Sequence, residues 1–205
     1  MPDYCEIRAD FNRSTIVVYQ AFNDAIADAA LAAQRLVPPF SLNRMTWIKP
    51  SFLWLMERSG WATKSNQERI LAVRITRAGW DRALAAAVLT AFDSAVHRSA
   101  DAWHQQFAQA AVHVQWDPER STHGKKLDYR SIQVGLSRSI IEEYVTAWTQ
   151  SITDLTPLAA KLRVLRKAGK HTEAKRLLPS ERVYPTNSTT AQRLGMETAH
   201  PNPKS

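Results

Sequence analysis

The sequence has little of two things on which large classes of proteins depend: cysteine and long apolar runs. Its 205 residues include a single cysteine, Cys5, which excludes an internal disulfide and any zinc site built from several thiolates. No uninterrupted apolar run reaches about 18 residues, so we expect no transmembrane helix. The first residues lack the basic and apolar regions of a signal peptide, and we therefore expect a cytoplasmic protein.

The familiar catalytic and nucleotide-binding motifs are missing as well. The sequence contains no HExxH, no GxGxxG, no Walker loop and no GxSxG. Its 6 histidines are scattered, and His97 and His104, which share a predicted helix, lack a clear third ligand. We therefore predict that the protein binds no metal.

What the sequence does have is a surplus of basic residues. Lys and Arg number 27 against 19 Asp and Glu, which gives a net charge of +8. Much of this charge lies between Lys161 and Arg182. Such a surplus favours a polyanionic partner, here a nucleic acid or nucleotide. A solvated helix face would explain the same residues without any partner.

The hydrophobic pattern predicts an α+β fold, in which a small twisted β-sheet core is flanked by helices in a single mixed domain. The chain is long enough for one core and too short for two, so we assign this domain to residues 1–180. Residues 181–205 are expected to form an extended, partly disordered tail. Strands are predicted at 4–11, at 69–77 and as a pair within 112–136, and helices at 15–34, 50–59, 80–92, 100–110, 139–153 and 157–168.

Three polar clusters could carry chemistry, and the first is Arg8, Asp10 and Arg13. They lie at the end of the first predicted strand and at the start of the helix predicted after it. Residues 8 and 10 of a strand face the same side. Arginine suits bidentate binding of phosphate, and a helix start adds backbone donors. The alternative is a simple intramolecular ion pair.

The second cluster surrounds the helix predicted at 50–59 and consists of Trp47, Lys49, Trp54, Arg58, Ser59 and Trp61. The tryptophans could form a stacking surface for a flat ring, with Lys49 and Arg58 near a phosphate. Tryptophans at helical spacing more often belong to a core, and we expect this of Trp54.

The third cluster lies on the strand pair within 112–136. Glu119 is expected at the exit of the first strand beside Asp117, and Arg130 and Gln133 on the partner strand opposite. A carboxylate in this position can orient a sugar hydroxyl or stabilise a developing cation. Alternatively, Asp117 begins a turn and Glu119 pairs with Arg120.

Four segments in this order, EIRADFNRSTIVVYQAF, WIKPSFLWLMERSGWATK, VQWDPER and YRSIQVGLS, resemble domain-of-unknown-function family 4291 over residues 4–196. The name of that family reports no activity. At the level of the fold, the layout is also similar to that of ADP-ribosyltransferases and their RNA phosphotransferase relatives. It shares with them a first strand with an arginine, a helix, a buried aromatic segment and a late strand with a glutamate.

This second resemblance implies roles for individual residues. Arg8 would hold the ribose or a phosphate of NAD, Tyr19 or Trp47 would stack on nicotinamide, and Glu119 would orient the ribose. The catalytic set is then Glu119, Arg130 and Gln133. The set that binds NAD, here a substrate, is Arg8, Asp10, Arg13, Tyr19, Trp47, Lys49, Arg58 and Ser59.

We therefore expect an NAD-dependent ADP-ribosyltransferase-like enzyme that modifies a nucleic acid or nucleotide. Two alternatives stay open: a non-catalytic RNA- or DNA-binding module, and a phosphotransferase or hydrolase that acts on RNA ends. If the enzyme hypothesis holds, Arg8, Arg58, Glu119 and Arg130 should surround a single cleft.

Overall fold

Two β-sheets organise residues 4–196, which are the residues that the computed structural model describes. The strands are β1 (Arg8–Ala9), β2 (Thr15–Phe22), β3 (Thr46–Ile48), β4 (Arg69–Thr76), β5 (Ala87–Leu89), β6 (Val112–Arg120), β7 (Lys126–Leu136), β8 (Thr149–Asp154) and β9 (Arg182–Val183). The helices are α1 (Asp24–Ala33), α2 (Phe52–Arg58), α3 (Arg77–Ala85), α4 (Ala100–Gln109), α5 (Ile141–Glu143), α6 (Thr156–Lys167), α7 (His171–Leu177) and α8 (Ser188–Arg193), with a π-helical turn at Tyr144–Trp148. The predicted α+β class is confirmed.

The predicted sheet is divided into separate sheets. Three antiparallel strands form the first, in the order β2–β4–β8. Four strands form the second, in the order β3–β7–β6–β5, with β5 parallel to β6 and the other neighbours antiparallel. β1 and β9 pair on their own. β2 and β3 are therefore edge strands, and each sheet has an edge that can face the other.

The three-stranded sheet is buried on both faces. On one face, Ile16, Val18 and Val73 pack with α1, α3 and the apolar side of the four-stranded sheet. On the other face, Val17 and Tyr19 pack with α2 and α6. Alternate residues of β2 thus belong to two different cores, which sandwich the sheet between them.

The prediction of one helix over 15–34 is wrong for its first half, which is β2. The helix α1 begins only after Asn23, whose side chain accepts a hydrogen bond from the N–H of Ile26 at 3.0 Å. A strand buried on both faces lacks the alternation of apolar and polar residues, so its apolar run also fits helical spacing. Its β-branched residues favour the strand.

Two further predicted helices give way in part to strands. The region 80–92 holds the end of α3 and then β5, and the region 139–153 holds α5, the π-helical turn and then β8. None of the helices in the described part of the chain is long and apolar enough to cross a membrane. The strand predicted at 4–11 is reduced to the two residues of β1. The remaining predictions are confirmed: 50–59 as α2, 100–110 as α4, 157–168 as α6, 69–77 as β4 and the pair within 112–136 as β6 and β7.

The predicted tail is part of the fold as far as residue 196. β9 pairs with β1, and the buried Tyr184 accepts a hydrogen bond from Arg77 Nε at 3.0 Å and donates one to Asp81 at 2.6 Å. Leu194, at the end of α8, is also buried. The boundary predicted at residue 180 is therefore wrong for this segment, and residues 197–205 lie outside the described residues.

Gly79 in α3 packs against Trp148, and a Cβ at this position would overlap the indole ring. We expect Gly79→Ala to lower the free energy of unfolding by roughly 1–3 kcal/mol, as overpacked cores do, although alanine is the better helix former. Urea unfolding followed by circular dichroism measures the change. The control is Ala78→Gly at the exposed neighbouring position, where the loss should be about 1 kcal/mol. A stabilised Gly79→Ala protein would contradict this packing.

Candidate functional site

The site lies where the edges of the two sheets meet. The N–H of Tyr19 in β2 donates to the carbonyl of Lys49, directly after β3, at 2.6 Å. Beside this bridge, the buried Gln20 amide donates to Thr46 Oγ1 at 2.8 Å, and the Tyr144 hydroxyl donates to Gln20 Oε1 at 2.7 Å. These contacts join the two edges, which separate further along β2.

A cavity of about 820 Å³ opens between the separated edges, and we call it the Lys49 cavity. Its volume is within the range of small-molecule sites, about 300–1,000 Å³. Of the described residues in its wall, three are cationic and none is acidic. The wall consists of Gln20, Ala21, Phe22, Asn23, Ile26, Pro39, Phe40, Ser41, Arg44, Met45, Thr46, Trp47, Lys49, Leu55, Arg58, Asn66 and Gln67.

Trp47 reaches the cavity because β7 has a glycine beside it. The two residues are paired across β3 and β7, and a Cβ at Gly135 would come within 2.9 Å of the Trp47 ring. A glycine inside a strand often marks such a close approach. The bare backbone at Gly135 therefore makes room for the indole in the cavity wall.

Lys49 is buried, at 7% exposure, without an acidic partner. Its Nζ donates to the Trp47 carbonyl at 3.4 Å and lies 5.1 Å from the centroid of the Trp54 ring. Among residues 4–196, no carboxylate lies within ion-pair distance of this ammonium group. Burial, together with the charge of Arg58, lowers the pKa of Lys49 to about 7. A buried cation in this state is poised to accept an anion.

Asp117 lies beside the cavity, on the face of the four-stranded sheet that the cavity borders. Both of its carboxylate oxygens accept hydrogen bonds, Oδ1 from Gln115 Nε2 at 2.9 Å and Oδ2 from Gln133 Nε2 at 2.6 Å. Its charge acts against the lowering of the Lys49 pKa, which shows that the two groups are close enough to interact. The two glutamines thus fix the orientation of a carboxylate next to an unpaired lysine.

A second, smaller opening adjoins Asp117, and we call it the Asp117 groove. It measures about 540 Å³, and its wall consists of Trp54, Glu57, Arg58, Gly60, Lys64, Asp117, Pro118, Arg120 and Lys126. Arg58, at the end of α2, lines both the cavity and the groove. The two openings therefore lie side by side along one polar wall.

The other end of this wall is a carboxyl cluster under the start of α2, formed by Glu119 and Glu181. Glu181 accepts the N–H of Phe52, the first residue of α2, at 2.7 Å. Glu119 accepts the N–H of Arg120 at 2.7 Å, and the hydroxyl of Ser51 donates to it as well. These donors bring two acids close together in a site with little water.

Burial raises the pKa of both acids in the carboxyl cluster. It raises the pKa of Glu181 to about 8, and the neighbouring charge of Glu119 adds to the increase. For Glu119, burial raises the pKa and the hydrogen bonds oppose the increase. The Arg8 guanidinium lowers both values, but it is also held by Glu6 at 2.7 Å. At neutral pH the cluster therefore keeps at least one proton.

The family model of DUF4291, a domain of unknown function, matches residues 6–184. The chain belongs to this family. The matched range contains the Lys49 cavity, the Asp117 groove and the carboxyl cluster of this DUF4291 protein. No curated protein and no solved structure matches the chain. The similarity to ADP-ribosyltransferases therefore stays a prediction.

Several predicted site residues of the DUF4291 protein come together along the polar wall. Trp47, Lys49 and Arg58 line one cavity. Arg8 and Glu119 lie at the other end, in and beside the carboxyl cluster. The wall thus contains two centres, and the carboxylate in the groove beside the cavity is Asp117, two residues before Glu119.

The prediction that Arg130 shares a cleft with Glu119 is wrong. Arg130 lies on the opposite face of the sheet, where its Nε donates to the Tyr4 hydroxyl at 2.9 Å. Gln133, predicted to act with it, faces the polar wall and binds Asp117. Residues 130 and 133 are separated by an odd number of positions in one strand, so their side chains must point to opposite faces.

Two predicted ligand-binding residues are parts of the core. Tyr19 is buried, with its ring edge-on to Phe52 at a centroid distance of 5.4 Å, so it offers no face for stacking on nicotinamide. Ser59 is fully buried, and its hydroxyl donates to the Met56 carbonyl at 3.3 Å. Tyr19 thus packs β2 against α2, and Ser59 stabilises the C-terminal end of α2.

Asp10 and Arg13 do not lie at a helix start, because the chain continues from them into β2. Asp10 is 3.7 Å from Arg74 on the neighbouring strand, and Arg13 lies exposed in the turn before β2. The expected backbone donors of a helix are therefore missing at this place in the described fold, and the ion pair that was the alternative for this cluster is formed with Arg74.

Sequence reasoning named Asp117 only as a neighbour of Glu119 or the start of a turn, and it missed Glu181 altogether. The alternation of Gln115, Asp117, Ser131 and Gln133 on paired strands was a usable signal, because these positions share one face. Glu181 gave no signal. It comes from a segment that was expected to be an extended tail, and only the pairing of β1 with β9 brings it to the site.

Replacing Lys49 with Met removes the buried charge and keeps most of the side-chain volume. The pKa of Lys49 falls from its ordinary value of 10.5 to about 7, so the cost of burying the ammonium is complete below pH 7 and disappears as the pH rises towards 10.5. We expect K49M to raise the free energy of unfolding by roughly 3 kcal/mol at pH 6, and by much less at pH 10. Urea unfolding at both pH values tests this. The exposed Lys64→Met is the control, and an equal gain by K49M at both pH values would rule out the charge as its cause.

Glu181→Gln keeps an oxygen for the N–H of Phe52 and removes the titrating group. Because the pKa of Glu181 is raised from its ordinary value of 4.5 to about 8, the stability that its protonated form contributes is complete below pH 4.5 and is lost as the pH rises through 8. We expect E181Q to exceed the natural protein in stability by roughly 3 kcal/mol at pH 9 and by much less at pH 5. Guanidinium unfolding measures this, with the exposed Glu142→Gln as control. A pH-independent difference would show that Glu181 is not the titrating group.

Proposed function

We propose that this protein is an ADP-ribosyltransferase-like enzyme that binds NAD in the Lys49 cavity and transfers ADP-ribose to a nucleic acid or nucleotide. The observation that carries the proposal is the buried Lys49, which has no acidic partner among residues 4–196 and lines a cavity with two arginines. Burying a charge without a partner is costly, and an anionic ligand would remove this cost.

A dinucleotide fits the chemistry of this cavity. Lys49, Arg58 and Arg44 can contact the pyrophosphate, and arginine offers paired donors to phosphate oxygens. Trp47 supplies an aromatic surface for nicotinamide or adenine. Gln20 and Asn23 supply amides for ribose hydroxyls. A volume of about 820 Å³ accommodates a ligand of this size.

The transfer itself needs a carboxylate beside the ribose. The bond between C1′ of the ribose and the nicotinamide nitrogen breaks, and its electron pair leaves with nicotinamide. The cationic sugar that forms is stabilised by the Asp117 carboxylate, as in other glycosyl transfers. A nitrogen or oxygen of the acceptor then forms the new bond to C1′, and its proton passes to Asp117.

The single cleft expected around Arg8, Arg58, Glu119 and Arg130 is not formed, so the proposal no longer rests on it and assigns the catalytic role to Asp117 instead of Glu119. Asp117 lines the groove beside the cavity and interacts with Lys49. Glu119 is 6% exposed, lies under the start of α2 and has a raised pKa. A buried carboxylate that accepts hydrogen bonds from Arg120 and Ser51 is less available to a ribose than one that lines an opening. Within the proposal, Glu119 therefore supports the wall, and Gln133 and Gln115 position the catalytic carboxylate.

Release of nicotinamide from NAD, measured with and without single-stranded DNA or RNA, tests the proposal. Asp117→Asn should lower the rate by at least about a hundredfold, because it removes the charge and keeps the shape. Asp128→Asn, at an exposed aspartate of β7, is the matched control and should keep the full rate. Glu119→Gln should change the rate by only a few fold.

Two outcomes would contradict the proposal. If the natural protein releases no nicotinamide with any acceptor, the enzyme is not an ADP-ribosyltransferase. If Glu119→Gln abolishes release while Asp117→Asn does not, the assignment of the catalytic carboxylate is wrong. Circular dichroism and urea unfolding of each variant separate these results from a loss of folding.

A further inference from the structure

The Asp117 groove presents cations that have no acidic partner. Lys64, after α2, and Lys126, at the start of β7, are exposed at its rim. Neither forms an ion pair within residues 4–196. Arg120, in the same wall, lies 3.8 Å from Glu57, and its Nη1 donates to the Gly124 carbonyl at 3.3 Å. The wall of this groove of about 540 Å³ thus contains four cationic and two acidic residues among those described, and one of the acids, Glu57, is paired with Arg120.

The position of this rim is fixed by α6. Arg166 donates to the His123 carbonyl in the β6–β7 loop at 3.0 Å, and its guanidinium lies 5.1 Å from the centroid of the Trp61 ring. Arg163 donates to the Trp61 carbonyl at 3.2 Å. These two arginines hold the loop and the end of α2 against α6. Both arginines are structural, which leaves Lys64 and Lys126 as the exposed lysines in the groove wall.

The groove also has an aromatic ring in its wall. Trp54 lines it and is only partly buried, with the Lys49 ammonium near its ring. An aromatic platform beside cations that follow a phosphate backbone is the arrangement by which proteins hold single strands. A volume of about 540 Å³ is that of a small-molecule site and takes one unstacked nucleotide; a duplex keeps its bases stacked and paired.

We propose that the Asp117 groove binds a single-stranded nucleic acid, with one base on Trp54 and its flanking phosphates on Lys64 and Lys126. The strand then passes Asp117 next to the Lys49 cavity, which would make it the acceptor of the transfer. That last step rests on the proposed function. The binding does not, because it needs neither NAD nor catalysis.

Fluorescence anisotropy with a labelled single-stranded oligonucleotide of about ten nucleotides, without NAD, tests the binding. The double variant K64A/K126A should lower the affinity at least tenfold and reduce the slope of log affinity against log salt by about 1.4, which is the loss of two phosphate contacts. The matched control is K161A/K167A, which removes the same charge from exposed positions on α6 and should change the affinity less than threefold. Trp54→Leu should weaken binding, and Trp54→Phe should restore most of it.

Three results would overturn this inference. The first is an equal loss of affinity in K64A/K126A and K161A/K167A, which would indicate that the oligonucleotide is attracted to the whole basic surface. The second is equal affinity for a duplex of the same sequence. The third is that poly-glutamate displaces the labelled oligonucleotide as strongly as a nucleic acid does, which would indicate a protein partner or no specific partner. Binding without release of nicotinamide would support the groove and contradict the proposed enzyme, so the two proposals fail separately.

Discussion

The arrangement of the whole site depends on the contact between the edges of the two sheets. One backbone hydrogen bond, from Tyr19 to Lys49, joins β2 to the end of β3, and the buried amide of Gln20 fastens the same junction to Thr46 and Tyr144. A satisfied buried amide network favours one arrangement of the surrounding chain, because an unpaired amide there would be costly. If the edges paired along their full length, the Lys49 cavity could not exist.

The same junction explains how an unpaired lysine can be tolerated. The backbone of Lys49 is part of the bridge, and its ammonium group donates to the Trp47 carbonyl near the Trp54 ring. The free energy that its burial costs is offset by the two cores that enclose the three-stranded sheet, with Ile16, Val18 and Val17 among their members. The burial of the carboxyl cluster, at the other end of the wall, also costs free energy that these cores offset. Buried ionisable groups that lower the stability of a fold and have no structural role are typical of functional sites.

Sequence patterns predicted the parts of the site that lie close together in the chain. Trp47, Lys49 and Arg58 flank one short helix, so a single local motif brings them to one cavity. Local patterns could not separate β2 from a helix, because burial on both faces removes the alternation that identifies a strand. They also could not include Glu181, whose position depends on a strand pairing across most of the chain. The position of Arg130 could have been predicted. Side chains alternate between the two faces of a sheet, so Arg130 and Gln133 must point to opposite faces.

The charges along the polar wall determine how a ligand would be held. With a pKa of about 7, Lys49 is partly neutral at neutral pH, and with a pKa of about 8, Glu181 is largely neutral as well. Burial thus shifts both groups towards their uncharged forms, whereas the Asp117 carboxylate lines the groove and accepts hydrogen bonds from two amides. A phosphate beside Lys49 would favour the ammonium form, so binding would take up a proton there, and its strength would fall as the pH rises above 7. Under the proposed function, an anionic ligand therefore increases the charged fraction of Lys49, and the protein without the ligand carries less of the free-energy cost of burying that charge.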